Sequence, residues 1–219
     1  MPSISSLIKQ NRIFFIVFAI LLLPAIFITL FYSRADGFFL ANPFHTHLLD
    51  VFFTYYTWLG NGIFCLAVAV IFLFFKNFKA ALLIAGSFIL SGIAAQVLKH
   101  IFPLPRPKIY LVKAHYHYFI EHVTLSGFTD FPSGHTASAF ALATSVAIVF
   151  KNKSNAVWLI LYATIVGYSR IYLGQHFLTD VMAGAIIGVL SAIVCWYIIT
   201  KRMHNKQKGS VLREPLFKS

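Results

Sequence analysis

The stretch 131–150, FPSGHTASAFALATSVAIVF, decides how the chain is read. It opens with Pro132, Ser133, Gly134 and His135, then runs fifteen residues with no ionisable side chain. A proline suits the first turn of a helix. A hydroxyl and accessible backbone N–H groups beside it then sit where a helix N-terminus favours anions. The apolar run behind them approaches the length of about 20 residues that a bilayer-spanning helix needs. The pattern predicts a membrane helix over 132–150 with a polar, anion-binding head.

Working outward, five further apolar stretches lie at 13–32, 51–75, 80–98, 156–173 and 177–199. The expected fold is therefore all-α, a polytopic membrane protein with six transmembrane helices. The composition agrees, with 59% hydrophobic residues and 11% charged, more apolar surface than a water-soluble domain can bury. The first stretch follows Lys9 and Arg12, as a signal peptide would. It is too long for an h-region and has no clear cleavage site, so it reads as a retained helix, with Pro24 a tolerated kink. Residues 1–200 form one membrane domain, and 201–219 a basic, flexible tail that can lie against anionic headgroups.

With both termini cytoplasmic, twelve of the eighteen Lys and Arg fall inside: Lys9, Arg12, Lys76, Lys79, Lys151, Lys153 and six in the tail. This agrees with the positive-inside rule. Arg34, Lys99, Arg106, Lys108, Lys113 and Arg170 fall outside. The net charge of +12 thus serves topology, and a nucleic-acid partner is not expected. Asn152-Lys153-Ser154 has the form of a glycosylation sequon but falls on the inner side. Cys65 and Cys195 lie in apolar runs, which argues against a disulfide framework or a thiolate metal site. Tyr55, Tyr56 and Trp58 fit an aromatic belt, and the long outer connection from Lys99 to Phe131 contains an interfacial segment, 115–119.

Ionisable groups at membrane helix ends are costly and point to function. Here they form three clusters: Lys99 with Arg106-Pro107; Pro132 to His135; and Ser169-Arg170 with His176 and Asp180. Taken singly, Lys99 or Arg106 reads as a topology anchor, Pro-Ser-Gly as ordinary capping, and His176 with Asp180 as a structural hydrogen bond. The six-helix topology places all three clusters on the same outer face, although finding the helices did not require it. Lys99, Arg106 and Arg170 can surround a phosphoryl group. His176 and Asp180 are four residues apart, on one helical face if the sixth helix starts by His176, so the carboxylate can fix the imidazole tautomer. His135 is left as a candidate acid.

At these residues the sequence resembles the type 2 phosphatidic acid phosphatase superfamily, which shares its core fold with vanadium haloperoxidases. The signature K-x6-R-P, P-S-G-H, S-R-x5-H-x3-D is matched by Lys99 to Arg106-Pro107, by Pro132-Ser133-Gly134-His135, and by Ser169-Arg170 to His176 to Asp180. The resemblance implies that His176 attacks phosphorus and forms a phosphohistidine, oriented by Asp180. His135 would protonate the leaving group and then activate water. Lys99, Arg106, Ser133, Gly134 and Arg170 would hold the phosphoryl oxygens. No metal or cofactor is expected, since the three cations take that role. The implied partner is a phosphorylated membrane lipid in a bacterial inner membrane, with undecaprenyl diphosphate, phosphatidic acid, phosphatidylglycerol phosphate and lipid A phosphate as candidates. Headgroup choice would lie in the loop from Lys108 to Phe131. A haloperoxidase is disfavoured by the six apolar spans. A non-catalytic lipid-binding or transport protein on the same fold would be expected to lose His135 or His176, and both are present.

Overall fold

The computed structural model describes residues 3–114, 116, 118–121, 123–150 and 155–211. All regular elements among them are helical. They are α1 (Ile4–Gln10), α2 (Arg12–Phe31), α3 (Arg34–Ala41), α4 (His47–Tyr56), α5 (Gly62–Phe74), α6 (Phe78–Ile101), α7 (Pro107–Tyr110), α8 (Gly134–Val149), α9 (Ala156–Tyr172) and α10 (Leu178–Val211). Short 3₁₀ turns follow α4 and α7.

Among the described residues, three helices are long and apolar enough to cross a bilayer: α2, α6, and α10 through Asn205. The expected second span, 51–75, is not one continuous helix. Thr46 caps α4, the 3₁₀ turn Thr57–Gly60 follows, and Asn61 caps α5 by accepting from the Ile63 N–H. The pair bends by 54° and would make a fourth span. At 16 and 17 residues, α8 and α9 are shorter apolar helices.

Helix α8 is buried over twelve of its sixteen residues. Small side chains on every face let α6, α9 and α10 close around it. Such close approach is what holds helices together where apolar lipid offers little contrast with apolar protein. The tightest seam is α8 against α10. A Cβ at Gly184 would lie 2.5 Å from the Ser133 carbonyl oxygen, and one at Gly188 would lie 2.4 Å from that of Ala137. Only glycine fits there. Deeper in the core, the Ser145 hydroxyl donates to Ser87 Oγ at 3.1 Å, tying α8 to α6.

Other expectations need adjusting. Helix α3 and the start of α4 occupy the connection between the first two apolar stretches, where no helix was read. Ser33 caps α3 by accepting from the Asp36 N–H. The connection after α6 carries α7, started by Pro107 at its N-terminus. The tail beyond Thr200 is helical as far as Val211, continuing α10. The sequon and two residues of the interfacial segment, His115 and His117, lie outside the described residues.

Candidate active site

The C-terminal ends of α6 and α9 meet the N-terminal ends of α8 and α10. The backbone ties them: Ser133 N–H donates to the Asp180 carbonyl at 2.9 Å, and Asp130 N–H donates to that of Leu104 at 3.2 Å. After α9, the N–H groups of Gln175 and His176 both donate to the Arg170 carbonyl, at 2.9 and 3.1 Å. This turn fixes His176 just beyond Arg170. All three sequence clusters therefore stand at one end of the bundle.

Ser133 is fully buried and is the N-cap of α8, accepting from the Thr136 N–H at 3.4 Å and the Thr136 hydroxyl at 2.9 Å. Pro132 thus precedes the helix instead of lying in its first turn, and Gly134 and His135 open it. The cations are held by oxygens of the protein itself. Lys99 Nζ donates to the carbonyls of Thr129 at 2.6 Å and Asp130 at 3.3 Å. Arg106 is buried and donates to Thr129 O at 3.3 Å and to Gln175 O and Oε1 at 3.0 and 3.4 Å. Arg170 is buried and donates to Thr57 Oγ1 at 2.7 Å, in the bend between α4 and α5. Its Nε is buried with no hydrogen-bond partner among the described residues.

His176 is 2% exposed. Burial holds its basicity well below that of an ordinary imidazole, and the charges of Arg170, Arg106, Lys99 and His135 act in the same direction. That direction favours the neutral ring, which keeps a lone pair on one nitrogen, as a nucleophile requires. The expected helical pairing with Asp180 needs correction. Helix α10 begins at Leu178, so His176 precedes it, and the Nδ1 to Asp180 Oδ2 separation is 4.0 Å. Asp180 Oδ2 instead accepts from the Phe177 N–H at 2.7 Å. The carboxylate closest to the ring is that of Asp130, with Oδ1 2.7 Å from Nδ1. Asp130 and Asp180 are both fully buried, and Arg34 Nη2 reaches each at 3.1 Å. Burial, then the adjacent Asp180, raises the proton affinity of the Asp130 carboxyl, against the pull of Arg34 and Arg106.

Asp130, His176 and Asp180 offer donor atoms within 4.8 Å of one another, the kind of group that can hold a metal ion. Here the guanidinium of Arg34 already supplies positive charge to both carboxylates. Sequence reading did not pick out Asp130, Arg34, Gln175 or Thr57. Asp130 had a usable signal, being one of only six acidic residues in the chain and two positions before the Pro-Ser-Gly-His run. Gln175 and Thr57 carried none.

Residues 80–204 match the PAP2 superfamily. The chain belongs to this superfamily. It is 34% identical to the lipid A 4'-phosphatase of Porphyromonas gingivalis over 65% of this chain and 63% of that protein. The match therefore spans under two thirds of that relative's length. It is 30% identical to the undecaprenyl-diphosphatase BcrC of Bacillus subtilis over 67% of this chain and 72% of that one. Two solved structures share the fold. Aquifex aeolicus LpxE aligns with a TM-score of 0.64 at 32% identity, covering 74% of this chain and 94% of that one. A PAP2-type phosphatidylglycerolphosphate phosphatase from Bacillus subtilis aligns at 0.63 and 26%, covering 88% and 96%. The PAP2 match takes in all three clusters, from Lys99 to Asp180.

Proposed function

We propose that the protein is a metal-independent membrane lipid phosphatase working through a phosphohistidine. The observation that carries this reading is a buried His176, 2.7 Å from the Asp130 carboxyl and set among Lys99, Arg106 and Arg170. Its Nε2 lone pair attacks phosphorus, and the bond from phosphorus to the lipid oxygen breaks. His135 gives its proton to that oxygen as it leaves. In the second step His135 takes a proton from water, whose oxygen attacks phosphorus and frees His176. The three cations, the Ser133 hydroxyl and the N–H groups at the head of α8 stabilise charge on the phosphoryl oxygens. Asp180 organises the entry into α10 and adds negative charge beside the ring.

In this reading the chain crosses the bilayer six times with both termini inside, α8 and α9 being short spans that rely on buried neighbours. The site then opens at the outer face of a bacterial inner membrane, at headgroup depth. Undecaprenyl diphosphate, lipid A phosphate, phosphatidylglycerol phosphate and phosphatidic acid all present a phosphate at that depth. Relatives named for the first three support them as candidates.

The test is phosphate release from these four lipids by purified protein, with His176→Ala beside wild type and each assay repeated after dialysis against chelator. Release by wild type alone, insensitive to chelator, is expected. Release that collapses on chelation and returns with Mg²⁺ or Zn²⁺ overturns the metal-independent mechanism. No release from any lipid favours a binding or transport role.

A further inference from the structure

We propose that Arg34 and Asp130 form a charge-compensated pair that sets the basicity of His176, with Asp130 as its principal positioning carboxylate. The inference rests on the phosphatase reading above and extends it to two residues outside the three-part signature.

The geometry begins with distance. Asp130 Oδ1 is 2.7 Å from His176 Nδ1, whereas Asp180 Oδ2 is 4.0 Å away and is already engaged by the Phe177 N–H. Asp180 also accepts from the Thr179 hydroxyl at 3.2 Å. Asp130 Oδ1 and His176 Nδ1 are both buried, and neither has a hydrogen-bond partner among the described residues, so their 2.7 Å approach is a close contact not yet aligned as a hydrogen bond. Proximity and the lack of competitors make Asp130 Oδ1 the acceptor that a small rotation of the ring gives to the Nδ1 proton, which puts the lone pair on Nε2.

Charge accounts for Arg34. Two carboxylates fully buried side by side cannot both stay ionised without compensation. Arg34 comes from α3, reaches both at 3.1 Å through Nη2, and lies over the Phe177 ring at 4.2 Å. Its side chain is 21% exposed, so it bridges the buried pair to the surface. With His176 neutral and both carboxyls ionised, the single guanidinium leaves one net negative charge behind the ring. Attack on phosphorus through Nε2 makes the ring cationic and cancels that charge. The cluster is therefore balanced in the phosphorylated state and one charge short of balance at rest, a difference that favours the attack. Burial first, and then the charge of Asp180, makes the Asp130 carboxyl hold a proton tightly, so a proton taken up by the His176–Asp130 pair is what silences the site at low pH.

The other charged groups facing His176 are Lys99 on α6, Arg106 before α7, His135 on α8 and Arg170 at the end of α9, all on the phosphate side. The variants below leave these untouched. Asp130→Asn removes one negative charge and lowers the basicity of His176. The acid limb of kcat/KM for an aryl phosphate then moves to lower pH while the plateau falls. Arg34→Gln leaves two negative charges, so the limb moves to higher pH. Each shift is expected to be roughly one pH unit or more, the usual effect of a charge within a few ångströms. The double variant restores one net negative charge and should return the limb to near its wild-type position. Arg34→Lys keeps the charge and should leave it in place.

A purely structural role would lower activity without moving the limb in opposite directions. The experiment is this set of pH profiles on detergent-purified protein. An Asp130→Asn limb that stays put, with wild type active, overturns the inference alone, even if Arg34→Gln fails to fold. Shifts in the same direction for both single variants also overturn it. A wild type that hydrolyses neither aryl phosphate nor any of the four lipids removes the phosphatase reading and this inference together.

Discussion

Substituting Gly184 with alanine adds one methyl group in the α8/α10 seam, next to the site, where its nearest neighbours belong to Ser133, Thr136 and Ala137. The new Cβ would lie 2.5 Å from the Ser133 carbonyl oxygen and 3.1 Å from Thr136 Cβ. Restoring ordinary contact requires the helices to part by roughly 1 Å. Backbone is what the methyl meets, so no side-chain rotation relieves it. The bond from Ser133 N–H to the Asp180 carbonyl, 2.9 Å at rest, lies within a turn of the new methyl and would stretch beyond hydrogen-bonding range. Overpacking costs about 1–3 kcal/mol, partly offset by the gain of about 1 kcal/mol from replacing a helical glycine with alanine. Stability should therefore fall only modestly. Activity should fall much further, since a misplacement of about 1 Å in a catalytic constellation costs on the order of 10²-fold. That corresponds to about 2.7 kcal/mol of transition-state stabilisation. The assay is kcat/KM for phosphate release beside thermal unfolding in detergent, with Gly92→Ala as control because its Cβ would meet nothing within 4 Å. A Gly184→Ala protein as active and as stable as the Gly92→Ala control would refute the claim that this seam sets the spacing of the site.

Three more outcomes are expected. His176→Ala should abolish turnover and phosphoenzyme formation while substrate binding survives, with Asp180→Asn severe but milder; near wild-type turnover without His176 would move the nucleophile elsewhere. His135→Ala should lose about 10²–10⁴-fold on a lipid phosphate but far less on an aryl phosphate, whose phenol leaves without help; equal losses, with phosphoenzyme formation limiting, would leave His135 a ligand only. Single cysteines at Lys76 and Phe128, in a background lacking Cys65 and Cys195, should react with an impermeant reagent from opposite sides of the membrane; labelling from the same side breaks the six-span topology.

The family and the gathering of the three clusters were legible because both depend on local pattern. Spacing such as Lys99 to Arg106, or Arg170 to His176, survives in the sequence whatever the tertiary detail. Apolar length likewise gave away α2, α6 and α10. What stayed hidden depends on contacts between distant segments. Asp130 lies beside His176 only because the backbone links Leu104 to Asp130 and Ser133 to Asp180. Arg34 reaches both carboxylates from 96 and 146 residues away, and as a residue at a helix end it reads as a topology signal. The bend between α4 and α5 was missed for another reason. Apolar content runs through 51–75 almost unbroken, and hydropathy does not register the caps at Thr57 to Asn61 that turn the chain.

Lys99 and Arg106 at rest grip the carbonyl oxygens of Thr129, Asp130 and Gln175. In the proposed reaction those carbonyls would be internal understudies for a phosphate. On departure of inorganic phosphate, the donors would return to neutral oxygen partners of the protein itself, and neither cation would have to wait for water. Release of the product would then be an exchange of one oxygen cage for another, and a cluster of cations that would cling to any anion could let one go.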